Sequence, residues 1–308
     1  MSALGELQRL RETRGGPRRK KENKAAFAFL LPWFAGMLLI TAGPIVVSFV
    51  LGFTDYNLIQ PPEFNGWENL ERMVSDERLH SALGVTFTYV LVSVPLQLAA
   101  ALGLALLLDR GMRGLAFYRS AFYLPSLLGS SVAIAVLWRQ IFGTEGLVNQ
   151  VLGFFGVQGR GWISDPDTAL STLIVLNVWT FGAPMIIFLA GLRQIPVMYY
   201  EAAAVDGAGR WTKFRKITIP LLSPIIFFNL VLQVIHAFQS FTQAFVVSGG
   251  SGGPSDSTLF YTLYLYQRGF NNFDMGYASA LAWLLLVIIA GFTAVNFWVA
   301  RRWVVYDD

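Results

Sequence analysis

Six long apolar stretches decide what this chain can become: Ala26–Leu51, Ala82–Leu108, Ala121–Phe142, Ala169–Leu192, Leu222–Val247 and Tyr277–Ala300. A helix needs about 20 mostly apolar residues to cross the hydrocarbon of a bilayer, and a helix satisfies its backbone polar groups from within. Each stretch meets that length. Composition agrees: 55% of the 308 residues are hydrophobic and 14% are charged, where a soluble domain carries about a quarter charged residues. The expected fold is therefore all-α and integral to a membrane, with about six transmembrane helices. Pro32, Pro44, Pro95, Pro125 and Pro184 lie inside the stretches; spanning helices tolerate proline where neighbours re-satisfy the freed backbone.

The first stretch follows Arg18, Arg19, Lys20, Lys21 and Lys24, as the core of a secretory signal would. The apolar run Ala25–Phe53 is far longer than the roughly 7–15 residues of such a core, so it reads as a retained span. Of the 23 Lys and Arg residues, 18 fall in the N-terminal arm, the Arg110–Arg119 loop, the Arg193–Lys216 loop and the C-terminus. The other 5 are Arg72, Arg78, Arg139, Arg160 and Arg268. Excess positive charge marks the cytoplasmic side, which puts both termini there and requires an even number of spans. The pI near 9.4 thus reflects topology and the lipid bilayer as partner, and nucleic acid is not implied. Residues 1–24 form a basic cytoplasmic arm, suited to anionic headgroups, and 25–308 a transmembrane domain.

Several absences narrow the function. Within the stretches there is no Asp, Glu or Lys, apart from Asp109 at a boundary. Ion-coupled carriers keep such groups as ion sites, because an ionisable side chain is costly there. The dipeptide Gly-Lys never occurs, so there is no phosphate loop, and the Gly249–Gly253 segment lacks the lysine. Zero cysteines exclude disulfides and thiolate metal sites. No HExxH motif or paired carboxylates suggest an enzyme. Uphill transport by this chain requires energy from a partner.

The loop 193–220 carries more information. Pro196 suits a first helical turn, Glu201-Ala202-Ala203-Ala204 is strongly helix-forming, and Asp206-Gly207 signals a turn in which Gly207 takes a positive φ. A second, basic helix leads to Pro220. Two roles fit such a helix–turn–helix: an amphipathic element on the inner leaflet, or a docking surface whose small alanines admit a partner closely.

The residues Glu201, Ala202, Ala203, Gly207, Ile217 and Pro220 resemble the signature of binding-protein-dependent ABC importer permeases: E-A-A, three residues, G, nine residues, I-x-L-P. Ile219 replaces the leucine. The resemblance extends from Phe27 to Arg302, through Leu30-Leu31-Pro32, Tyr123-Leu124-Pro125, Gly146-Leu147-Val148-Asn149 and Trp162–Pro166, and is strongest with the sugar group: maltose, multiple-sugar and glycerol-phosphate importers. It implies the type I importer permease fold in a bacterial or archaeal cytoplasmic membrane. It also implies a second homologous permease, a cytoplasmic ATPase dimer holding ATP and Mg, and an extracytoplasmic solute-binding protein; this chain itself holds no cofactor. Glu201, Ala202, Ala203, Asp206, Gly207 and Ala208 are then the coupling element that docks on the ATPase.

The fifth stretch holds Asn229, Gln233, His236, Ser240 and Gln243 at offsets of 0, +4, +7, +11 and +14, one face of a continuous helix, with Gln239 beside it. Such a stripe serves interhelical hydrogen bonds or a water-filled path; the resemblance favours the path. His236 by itself reads as packing. Asn177 and Trp179 on the fourth stretch are further candidates. Amides and hydroxyls both donate and accept, so the stripe suits a neutral, hydroxyl-rich solute. Arg139, near the outer end of the third stretch, reads as an interface anchor.

Overall fold

The computed structural model describes residues 17–111, 114–129 and 131–305, with side chains from Phe27 onward. The first 16 residues of the basic arm lie outside the described residues; Pro17–Lys24 open the first helix.

Helix α1 (Pro17–Gly36) runs through a π-helical turn, Met37–Ala42, into α2 (Gly43–Leu51). The widened turn sits just before Pro44, which lacks an N–H and crowds the carbonyl four residues back. A short hairpin follows, β1 (Thr54–Asp55) pairing antiparallel with β2 (Glu63–Phe64), then an amphipathic helix α3 (Glu68–Ser75). Helix α4 (Glu77–Leu108) is a full span of 32 residues. After it come α5 (Leu115–Leu128), α6 (Val132–Ile141) and the short α7 (Leu147–Phe154). Next are α8 (Pro166–Trp179), α9 (Gly182–Leu192) and α10 (Val197–Val205). Helix α11 (Arg210–Lys213) passes through a π turn, Phe214–Thr218, ahead of Pro220, into α12 (Ile219–Phe238). The chain closes with α13 (Thr242–Val247), α14 (Tyr261–Tyr266) and α15 (Met275–Ala300).

Among the described residues, four helical runs are long and apolar enough to span, and two bent pairs, if each is one further span, bring the number to as many as six. The continuous third span expected over Ala121–Phe142 is corrected: α5 and α6 meet at 96°. Ser131 caps α6 by accepting the Ile134 N–H at 3.3 Å, which starts a new helix where the old one should continue. The fourth span bends by 41° between α8 and α9, where the Thr180 hydroxyl folds back onto the Asn177 carbonyl at 2.7 Å. The fifth is interrupted at Gln239–Phe241, between α12 and α13.

Lipid tails are as apolar as leucine, so close packing rather than hydrophobic burial holds such helices together. Small residues permit it. A Cβ on Gly191 would lie 2.1 Å from the Ile225 side chain, and one on Gly182 2.4 Å from the Phe122 carbonyl. The core holds Tyr261, Tyr264, Tyr277, Phe188, Phe238 and Phe260, all fully buried. By contrast the first span leans outward. It touches α15 chiefly at its end, where Phe49 meets Trp283 edge-on at 4.9 Å and Gly52 backs onto Ala280.

The end of the bundle away from loop 193–220 is cross-tied. Asp76, whose side chain is 7% exposed, caps α4 by accepting the Arg78 and Leu79 N–H groups at 3.1 Å. Its other oxygen accepts from the Tyr264 hydroxyl, from the Tyr277 hydroxyl at 2.7 Å and from Arg268 at 3.5 Å. Burial alone would raise the Asp76 pKa; the two tyrosine hydroxyls, the Leu79 N–H and the Arg268 charge outweigh it and hold the carboxyl below its ordinary value. Around it Arg78 forks onto Asp256 at 2.8 and 2.9 Å, and Arg72 meets Asp274 at 2.8 Å while lying over the Tyr277 ring.

Candidate functional site

The three helix breaks border one open cavity of about 490 Å³. Gly129 (between α5 and α6), Thr180 (between α8 and α9) and Gln239, Ser240 and Phe241 (between α12 and α13) all line it. Broken helices are tolerated at membrane depth only where protein or water satisfies the freed backbone. Here side chains do so. Gln243 donates to the Gly129 carbonyl at 3.2 Å, and Ser126 to the Thr180 carbonyl at 2.8 Å. The Ser126 oxygen accepts the Ala183 N–H at 2.9 Å. Gln97 donates to the Thr180 hydroxyl at 2.9 Å, and Thr262 donates to the Ser240 carbonyl. Gly129 has no room for a side chain: a Cβ would sit 2.1 Å from the Thr180 methyl.

Gln233, His236, Gln239, Ser240, Gln243 and Asn177 from the sequence reading all line this cavity. Asn229 and Trp179 do not. Asn229 is fully buried, its amide donating to the Ile225 carbonyl at 3.1 Å within α12. Trp179 stacks on Trp138 with ring centroids 5.9 Å apart. The five-residue stripe is also corrected, because the +11 and +14 offsets assumed a helix that continues past Gln239. Ser240 and Gln243 reach the cavity through the break instead, and Gln239 joins them for the same reason. Tyr89, Gln97, Ser126 and Thr242 complete the polar lining. Tyr89 and Gln97 left only a weak signal, because Thr86, Thr88 and Ser93 are further polar side chains in the same apolar run. Among the described residues, no carboxylate, lysine or arginine lines this space. Phe241 gives it one flat apolar wall, held by Phe245 and Tyr266 at 5.3 Å each.

At the basic end, α10 carries no buried residue. Pro196 stands just outside it in extended backbone, and the helix stops in a Schellman turn. Gly207 has φ +75°, its N–H bonds to the Ala204 carbonyl at 3.1 Å, and the Ala208 N–H bonds to the Ala203 carbonyl at 2.8 Å. Glu201, Ala202 and Asp206 are exposed, Ala203 and Ala208 partly so, and Val205 is 89% exposed. Two side-chain ties hold the loop: Tyr200 to Thr218 at 2.9 Å and Arg193 to Asp109 at 3.6 Å.

These parts define a helical membrane protein with a neutral polar cavity at mid-bundle and a helix presented outside it, which is the architecture of a transport subunit. Residues 81–305 match the family model of the binding-protein-dependent transport system inner membrane component, and the chain belongs to that family. It is 50% identical over 291 residues to a probable ABC transporter permease, YesP, of Bacillus subtilis (strain 168), covering 94% of both chains. The lactose transport system permease LacF of Rhizobium radiobacter is 32% identical over 280 residues, 89% of this chain and 93% of that one. The trehalose/maltose transport system permease MalF of Thermococcus litoralis is 30% identical over 284 residues, 91% and 95% of the two chains. In fold, a chain of a bacterial ABC transporter that imports alginate superposes with a TM-score of 0.79 at 23% identity, over 92% of this chain and 98% of that one. The protein is thus a multi-pass inner-membrane permease component of an ABC importer, and its relatives are permeases rather than enzymes.

Proposed function

We propose that this permease carries a sugar or oligosaccharide, its uncharged hydroxyl-bearing rings passing through the cavity at the three helix breaks, driven by a separate ATPase that grips α10. The observation that carries the reading is the cavity itself: helices broken around amides, hydroxyls, the His236 imidazole and one aromatic wall, with no carboxylate, lysine or arginine among the described lining residues. Sugars present hydroxyls that both donate and accept, which such a lining matches. The sugar names of the relatives point the same way. The N- and C-termini and α10 lie on the cytoplasmic side in this reading, following the excess of basic residues there. A second permease, an ATPase pair that binds ATP and Mg, and an outer solute-binding protein complete the machine. Closure of the ATPases moves α10 as a rigid lever, because the Schellman turn and short loop fix its exit.

The test uses the cysteine-free background. Val205→Cys, in the chain assembled with its partners in vesicles, is expected to crosslink to the ATPase subunit. ATP is expected to drive uptake of a labelled sugar chosen from lactose, maltose and trehalose. Uptake at the same rate without ATP, or no crosslink in an intact assembly, overturns the reading.

A further inference from the structure

A second cavity, of about 570 Å³, opens at the clamped end of the bundle. It rests on different chemistry from the first. Its lining includes Arg139 in the last turn of α6, together with Thr144, Ser164, Ser248 and Ser251. Every other ion pair at this end is internal: Arg72 with Asp274, Arg78 with Asp256, Arg160 with Asp165 and Arg268 with Asp76. Among the described residues, Arg139 has no carboxylate within 4.0 Å, and no Asp or Glu lines the cavity.

The hydroxyls are already oriented. Ser164 donates to the Gly161 carbonyl at 3.3 Å, Ser248 to the Ala244 carbonyl at 2.6 Å and Ser251 to the Ser248 carbonyl at 2.8 Å. Ser248 and Ser251 also accept the Gly252 and Gly253 N–H groups at 3.2 Å, so each keeps one lone pair for a ligand, and Arg139 is the strong donor of the set. A ligand that fits must therefore donate through hydroxyls and accept through one anionic group. A carboxylate matches the planar guanidinium fork. A phosphate dianion would place extra charge against the serine lone pairs.

The two cavities are linked by α13. Its first turn, Thr242 and Gln243, lines the neutral cavity; its last residue Val247 and the following Ser248 line the charged one. At 1.5 Å per residue they lie about 9 Å apart along the helix. Resting on the reading that the clamped end faces outward and the inner cavity carries sugar, we infer that this vestibule is a binding subsite for the carboxylate of an acidic sugar. Arg139 holds the uronate group while the neutral rings enter the inner cavity. Arg139 is then a selectivity residue, in place of the interface anchor that its position in the sequence suggested.

The experiment measures calorimetric binding of cellobiouronic acid and of cellobiose to the assembled transporter, without the solute-binding protein. The acid is expected to bind about tenfold more tightly than the neutral disaccharide, as for one charge-assisted pair. That preference should shrink as salt rises, vanish in Arg139→Gln and survive partly in Arg139→Lys. Equal binding of both sugars by the native protein, or of neither, overturns the subsite. Equal weakening of both by Arg139→Gln also overturns it, and assigns Arg139 to docking or folding. The Val205→Cys crosslink and ATP-driven uptake of the neutral sugars are read on the assembly with Arg139 intact; both are expected there whether or not the acid is preferred, so the failure of this inference is distinct from failure of the importer reading.

Discussion

The two ends of this bundle are built in opposite ways. At the clamped end, residues separated by as many as 202 positions are joined by charge pairs, and one carboxylate, Asp76, gathers two tyrosines, an arginine and two helix N–H groups. At the basic end, α10 carries no fully buried residue, packing only part of Tyr200 against the core, and its loop is tethered by one hydroxyl pair and one long ion pair. Rigid cross-ties suit a surface that must keep its shape while helices tilt beneath it. An exposed, well-terminated helix suits a handle that something else holds. Between them lie the three breaks, the places where the spans can change direction without melting a continuous helix.

The largest effect that would break this contrast lies at Gly207. Proline there forbids φ +75° and removes the N–H that closes the turn on Ala204. ATP-driven uptake by Gly207→Pro is expected to fall to background while the melting temperature of the isolated chain barely moves. Gly207→Ala costs about 1 kcal/mol in the left-handed region and should retain part of the uptake. A large loss of thermal stability in Gly207→Pro would show that α10 is part of the body, not a handle.

Asp76→Ala should behave in the reverse sense. It strands Arg268, Tyr264 and Tyr277 and removes a helix cap, so a destabilisation of about 3 kcal/mol is expected from breaking a mostly buried charged cluster. Uptake per folded molecule should change little. A smaller step sharpens the same contrast: Arg72→Ala removes a pair whose arginine is 42% exposed, and less than about 1 kcal/mol is expected in thermal melts. Equal losses from Asp76→Ala and Arg72→Ala would mean that the clamp has no centre.

Much of this was legible before the structure. Apolar length marked the spans, and the helix–turn–helix at 197–220 followed from Pro196, the alanines and Gly207. The breaks were not, because periodicity presumes the helix it is used to detect. Offsets from Asn229 through Gln243 described an ideal rod, whereas Gln239–Phe241 leave it. Gly129 and Ser131 held a local signal, a small residue and a potential cap inside an apolar run. The close fit of Gly129 against Thr180, some fifty residues away, is visible only in the folded chain. The Asp76 cluster was hidden for a like reason: its members are scattered from position 76 to 277, and only folding brings them together.

The smallest predicted effect tests whether charge, as distinct from shape, holds the clamp. Asp76→Asn keeps a side-chain oxygen to cap α4 but replaces the charged acceptor facing Tyr264, Tyr277 and Arg268 with an amide N–H₂. In the native chain the carboxyl lies below its ordinary value of 3.8, so the unfolded state takes up the proton first as pH falls. The charge contribution is therefore complete well above 3.8 and is lost progressively as pH falls through that value towards the lower folded one. The difference in stability between the native chain and Asp76→Asn should stay constant from pH 7 to 5. It should then begin to narrow as pH falls towards 4. Melting curves of both proteins in the same detergent, taken at matched ionic strength, measure it. A difference that narrows already between pH 7 and 6 would place the controlling titration on another group, and one that does not narrow at all would mean that the tyrosines recognise the shape of Asp76 and not its charge.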